Sequence, residues 1–310
     1  MIAKKFPIQY KAPLNNVINR ELTSYKVLLA SIRESVADLL ANIDGLYPRP
    51  LEIEALWSGI QQNRVPEKWR KVSFQTAYDS LADYIVELGL KLEFWKKVVE
   101  ADTAELPSFW LPAFFDPKSF LTALIQTRAR TEGIPMKDLR NEYEILDIGK
   151  NEEPSTDKHV VYIHGLALEG ADWDYARKLV VETTRTERFI PFPAIAVHTL
   201  KLGEATGPAA TPMEAYANFG LNNAKKRTKK KKSPEEGAQG QKAGTGAEAY
   251  NPVERYKCPL FKTTLRLSAG LVATDNAPVE YFKLNTLEAP AKWTKRAVAL
   301  LLETDRTSES

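Results

Sequence analysis

The chain has 310 residues, 44% of them hydrophobic and 27% charged, the balance of an ordinary globular protein with enough length for a sizeable core. Its net charge of +3 says little about partners, and its one cysteine, Cys258, excludes an intrachain disulfide and suits a reducing compartment. No apolar run approaches the roughly 20 residues of a membrane span, and the opening MIAKKFPIQYKAP lacks the apolar core of a secretory signal.

The first 140 residues have helical periodicity. Leu14, Val17, Ile18, Leu22, Tyr25, Leu28, Leu29, Ile32, Val36, Leu39, Leu40 and Ile43 keep a three-and-four spacing. That pattern predicts one amphipathic helix on the order of 45 Å long. Gly45 ends it, and Pro48 and Pro50 forbid a restart. Further helices are predicted from Pro50 to about Asn63, from about Gln75 to Val99, and from Pro117 to Arg130. The last has Asp116 as N-cap and Pro117 at its first helical position. Two aromatic-rich joints, VPEKW at 65–69 and PSFWLPAFF at 107–115, are expected to lock these helices together.

After residue 140 the period changes from 3.6 to 2. Strands are predicted at Tyr143–Ile148, Val160–Ile163, Phe189–Val197, 258–267, 279–285 and 297–304, with no helix pattern between the last three. Pro191 and Pro193 mark the third as an edge strand. The fold class is therefore α+β: an N-terminal helical part with one long helix, then a small, mostly antiparallel, incomplete β-barrel. Residues 203–249 interrupt the second half with Ala, Gly, Pro, Thr and Lys, a composition that predicts a disordered insert. Its basic run, Lys225 to Lys232, suits an acidic partner, although a solvated linker is the plainer reading.

The stretch VVYIHGLALEGADWD (160–174) most looks like chemistry, since a strand ending in His-Gly can present an oxyanion hole. A hydrolase would also need G-x-S-x-G, which is absent. Its nearest echo is Ser268 in RLSAG, and the three histidines (159, 164 and 198) all precede that serine, the wrong order. His159 and His164 flank a predicted strand and would share no helical face for a metal. Asp172 and Asp174 enclose Trp173, which suggests a packed corner, and nothing singles out a pair of carboxylates for glycosidic chemistry. No Walker-type phosphate loop occurs, and Gly244-Thr-Gly246 lacks both the lysine and the strand. Cys258 reads as a small buried residue. No catalytic residue, cofactor or metal site is expected.

Five blocks, in order, carry a resemblance: NRELTSYKVLLASIRESVADLL with NRVPEKW, PSFWLPAFFDPKSFLTALIQTRAR, VVYIHGLALEGADWD, YKCPLFKTTLR and APAKWTKRAVALLLE. Together they resemble the C-terminal region of a dynein heavy chain, of axonemal rather than cytoplasmic style, from about Leu14 to Glu303. The resemblance implies a helical part (1–140, with 1–13 a tail from the preceding AAA+ module) and a barrel part (141–305). It also implies a non-catalytic module on one face of the AAA+ motor ring that tunes ATP-driven motility in a cilium or flagellum. The implied partners are the AAA+ modules of the same heavy chain and other dynein subunits. Microtubules are met only indirectly, and neither a membrane nor nucleic acid is an expected partner.

Because the sequence holds none of the nucleotide-binding modules, linker or stalk, the resemblance implies a piece of a heavy chain or a free-standing domain. A stand-alone basic adaptor, binding tubulin tails or nucleic acid through Lys225–Lys232, is the alternative. The expected structural and docking residues are Leu14, Leu22, Leu29 and Val36 on the long helix, and Phe109, Trp110, Phe114 and Phe115 in the second joint. In the β half they are Gly165, Gly170, Trp173, Cys258 and Trp293. Trp173 and Trp293 are expected to be buried, whereas part of the helix stripe and of the second joint is expected to be exposed for docking.

Overall fold

A computed structural model describes residues 5–45, 50–74, 78, 80–101, 108–147, 159–183, 188–204, 253–266, 272–274 and 277–302. The long helix is α1, Pro13–Ile43, with proline in its first turn, where the missing N–H is not needed. It stops as its periodicity predicts: Gly45 takes φ +76° and donates its N–H to the Asn42 carbonyl. Helix α2 (Leu51–Gln61) carries Glu52 and Glu54 in its first turn, where the helix dipole favours them. A single turn, α3 (Glu67–Arg70), follows and presents Trp69 to the core. Helix α4 (Leu81–Glu100) is capped by Ser80, and α5 (Pro117–Glu132) by Asp116, whose carboxylate accepts the Ser119 N–H at 3.1 Å. Gly133, at φ +69°, closes α5.

The strands are β1 (Phe109–Trp110), β2 (Leu139–Ile145), β3 (Val160–His164), β4 (Leu166–Glu169), β5 (Asp172–Asp174) and β6 (Leu179–Val181). They continue with β7 (Phe189–Phe192), β8 (Ile195–Lys201), β9 (Glu254–Arg266), β10 (Val272–Thr274), β11 (Glu280–Thr286) and β12 (Ala299–Leu302). One sheet has the order β1-β3-β8-β2; the other runs β5-β6-β11-β9-β12-β4-β7, with β10 paired to β9. Together they form a nearly closed barrel, and the α+β class stands. The sheets are mixed rather than purely antiparallel, because β1–β3, β6–β11 and β9–β12 pair in parallel.

Three expectations are corrected. A short helix, α6 (Pro290–Lys295), lies between β11 and β12, where alternation alone showed no helix; a proline in its first turn starts it, and it buries Trp293. Strand β1 forms inside the half that read as helical, because the joint is too rich in aromatics and proline to continue a helix. The predicted strand Phe189–Val197 is two strands, β7 at the end of one sheet and β8 inside the other, with Pro193-Ala194 between them.

That break belongs to a larger feature. Strands β3 and β4 are separated by Gly165 alone, and they pair antiparallel with β8 and β7 respectively. Ile163 faces Ile195 before the corner and Leu166 faces Phe192 after it, so one register runs through both ladders. The two strand pairs are a single antiparallel ribbon, bent where Gly165 meets Pro193-Ala194, and the bend passes both of its strands from one sheet to the other. A single cluster of buried side chains extends from Ile18 and Tyr25 through Phe114, Phe120 and Leu168 to Trp293 and Leu300, so helices and barrel share one core.

Candidate functional site

The motif HGLALEGADWD is built as a corner. Strand β1 lies parallel to β3 with Trp110 in register with His164, which sets the Trp110 indole against Gly165. Gly165 has φ +87°, and a Cβ there would overlap Trp110 Cδ1 and Nε1 and sit 2.7 Å from Pro112 Cδ. Only glycine satisfies both the left-handed backbone and that approach. Gly170, at φ +82°, turns β4 into β5, with the Arg296 carbonyl and the Val298 side chain each 3.3 Å from where a Cβ would be. The acidic residues of the motif serve local structure. Glu169 accepts from Arg188 at 2.6 Å, Asp172 from the Trp173 N–H at 2.8 Å, and Asp174 from the N–H groups of Ala176 and Arg177 at 3.0 Å.

The histidines are dispersed. His164 Nδ1 is 2.8 Å from Ser108 Oγ, and burial lowers its pKa to about 4, so the ring is neutral at pH 7. His159 meets Glu132 at 2.8 Å, and His198 meets Glu144 at 3.0 Å. Among the described residues no three His, Cys, Asp or Glu side chains gather to hold a metal. Cys258 is fully buried, and burial pushes its thiol up to about 12, which leaves it unreactive.

The second constellation fastens the joint that follows Ser108. Three buried charges surround this segment: Glu21 of α1, and Glu87 and Lys91 of α4. The Glu21 carboxylate accepts the N–H groups of Phe115 (2.6 Å) and Asp116 (3.1 Å). Burial raises its pKa, and those two amides oppose the rise. Lys91 pairs with Glu87 at 3.1 Å, donates to the Pro112 carbonyl and lies 4.0 Å over the Phe74 ring. Burial lowers its pKa, against the pull of Glu87. From the barrel, Lys262 of β9 donates to the Phe115 carbonyl at 2.7 Å. The Tyr25 hydroxyl and the Trp95 indole both donate to the Ala113 carbonyl, at 2.7 and 3.2 Å. Two helices and one strand thus hold the polar backbone of one short joint, which its aromatics would otherwise strand in the core.

Of the sequence-predicted residues, Leu22, Phe109, Phe114, Trp173, Cys258 and Trp293 are buried in the protein's own core, as expected for both tryptophans. Leu14, Leu29, Val36, Trp110, Phe115, Gly165 and Gly170 are half-buried. The joint, expected to be exposed in part, is half-buried at Trp110 and Phe115, whereas Phe109 and Phe114 pack on Phe120 at 4.9 and 4.7 Å between ring centroids, inside the protein. The exposed apolar residues lie elsewhere, at Val27, Leu40 and Ile43 of α1, Leu51 of α2, and Ile85, Val86 and Leu90 of α4. The basic run Lys225–Lys232 lies outside the described residues.

Sequence reasoning missed Glu21, Glu87, Lys91 and Lys262. A signal existed for three of them. Glu21 falls among the stripe residues Ile18, Leu22 and Tyr25, and Glu87 and Lys91 interrupt the run of Tyr84, Leu88 and Trp95, so each charge occupies an apolar face.

Residues 1–213 match the family defined by the C-terminal domain of the dynein heavy chain. This protein belongs to that family. It is 27% identical over 309 residues to dynein axonemal heavy chain 1 of Mus musculus, and 28% over 305 residues to dynein axonemal heavy chain 12 of the same species. It is 26% identical over 311 residues to the dynein alpha chain of the flagellar outer arm of Chlamydomonas reinhardtii. These alignments span 97–98% of the present sequence; they span 6% of the first and third relatives and 8% of the second. The dynein C-terminal domain here is thus a polar-fastened helical layer on a bent-ribbon barrel, and its most motif-like stretch is the bend.

Proposed function

We propose that this protein is the non-catalytic C-terminal module of an axonemal dynein heavy chain, working in a cilium or flagellum. In this reading it lies against the AAA+ modules of the same heavy chain and adjusts ATP-driven movement along microtubules, which it meets only through the rest of the motor. The helical part, 1–140, is the docking layer, and the barrel part, 141–305, is its support. One observation carries the docking claim. The core-facing stripe of α1 is buried from Ile18, Leu22, Tyr25 and Leu28 to Leu39, while beside it Leu40 (56% exposed) and Ile43 (52%) stay uncovered, and the next helix opens with Leu51 at 81%. Large apolar side chains that the protein's own core leaves uncovered favour an interface. Val27, Ile85 and Val86 extend the set of candidates.

The test is Leu40→Lys with Ile43→Lys in a full-length heavy chain. The expected result is a changed gliding velocity or microtubule-stimulated ATPase, with no loss of thermal stability in the corresponding isolated module. Unaltered velocity and ATPase would remove the docking claim.

A further inference from the structure

The β9–β11 ladder has two unlike faces. Tyr256, Cys258, Leu260, Phe282 and Leu284 point into the core, while the alternate positions point outward. Outward, Arg255 stands opposite Asn285, Lys257 opposite Lys283, and Pro259 opposite Tyr281. Arg255, Lys257, Tyr281 and Lys283 are exposed.

Two physical arguments set this face apart from ordinary solvated sheet. Like charges directly opposite in an antiparallel pair destabilise it, so the Lys257–Lys283 pair does not serve the fold. Among the described residues β9 and β11 pair only with each other at these positions, since β12 meets β9 at Leu260, Phe261 and Lys262 and β6 meets β11 at Thr286. The protein's own carboxylates do little to neutralise the face. Among the described residues, Glu142 reaches Lys283 only at 3.9 Å, and Lys257 lies 4.2 Å over the Tyr281 ring instead of on an acid.

We propose that the outer face of β9–β11 binds an extended acidic peptide segment. Residues two apart on a strand are about 6.8 Å from one another, the same repeat as alternate side chains of an extended peptide. Carboxylates at every second position would therefore meet Arg255 and Lys257 along one strand, with Lys283 across from them. A single-stranded nucleic acid would need an open aromatic platform for its bases, and the one aromatic of this face already carries the Lys257 ammonium.

The experiment uses the whole 310-residue protein and a fluorescein-labelled peptide of alternating Glu and Ser, read by anisotropy at low and moderate salt. Three proteins are compared: wild type, Lys257→Glu with Lys283→Glu, and a variant whose seven basic residues between Lys225 and Lys232 are changed to Gln. The expected outcome is saturable, salt-sensitive binding that falls about tenfold or more in the face variant, as for lost charge pairs at an interface. The face variant should keep wild-type melting, and the Gln variant should keep most of the binding. The proposal is overturned by no saturable binding, by binding indifferent to the face variant, or by loss in the Gln variant alone. Tighter binding of labelled oligo-dT, with the same dependence on the face, would also overturn it and point to nucleic acid.

Discussion

Replacing Gly165 with alanine tests whether the His-Gly motif is a corner. Two costs combine. The residue has φ +87°, and a left-handed backbone costs an ordinary residue about 1–2 kcal/mol. The new methyl would also be driven into the Trp110 ring and to 2.7 Å from Pro112 Cδ. Both neighbours are held: Trp110 by pairing of β1 with β3, and Pro112 by the bond from Lys91 to its carbonyl. Overpacking against atoms that cannot retreat costs about 1–3 kcal/mol, so Gly165→Ala should lose about 2–5 kcal/mol. Gly133→Ala separates the two costs, since Gly133 also has positive φ (+69°) but nothing lies within 4 Å of its would-be Cβ. It should lose only the backbone part, about 1–2 kcal/mol. Urea unfolding followed by tryptophan fluorescence gives both values, provided the slopes match wild type. Equal losses in the two variants would refute the close approach of Trp110 and with it the account of the motif.

Trp173→Ala and Trp293→Ala should each cost about 3–5 kcal/mol, as large aromatics lost from a core do; melting within a degree of wild type would contradict their burial at 2% and 0% exposure. His164, whose pKa is about 4 when folded and near 6.5 when free, is neutral in both states above pH 6.5, so its contribution is complete there and lost as pH falls through that window. At about 1.36 kcal/mol per unit, the loss by pH 4 is about 3 kcal/mol, and wild type and His164→Gln should diverge by that amount between pH 7 and 4; parallel stability profiles would show that the ring is not buried neutral.

How far the fold could be read from sequence depended on whether a residue's role was local. The end of α1 was legible because Gly45 terminates it by its own backbone freedom, and the start of α5 because Asp116 and Pro117 act within one turn. Cys258, Trp173 and Trp293 were legible as interior residues from their place beside strand patterns. Parallel pairing of β9 with β12, separated by β10, β11 and α6, was not, since it depends on which distant strands meet. The unbroken register through Gly165 is of the same kind: the sequence shows two short runs, and only their pairing with β8 and β7 reveals one bent ribbon. At the joint, aromatic content alone did not show which rings turn inward. Phe109 and residues 111–114 are interior because Glu21, Lys91 and Lys262 satisfy backbone of the joint that would otherwise be buried unpaired.

Those three charges also bear on how the proposed module would carry a load. A hinge between helices and barrel would have to open at the joint, because α1, α4 and β9 all grip it there. Opening would take from Glu21 the two amides it accepts and from Lys91 its bond to the Pro112 carbonyl, though Lys91 would keep Glu87 on its own helix, and breaking a buried, hydrogen-bonded charge from one side costs about 3–5 kcal/mol. Fully buried Ile18 and Leu28 of α1 sit in the same cluster as Leu260 and Leu300 of the barrel, which adds packing to that cost. A push received at Leu40 and Ile43 would therefore reach β9 with little loss, as through one body. Regulation of a motor by this module would then work through where the whole module sits on the ring, and variants that only loosen the joint would weaken stability before they altered any signal.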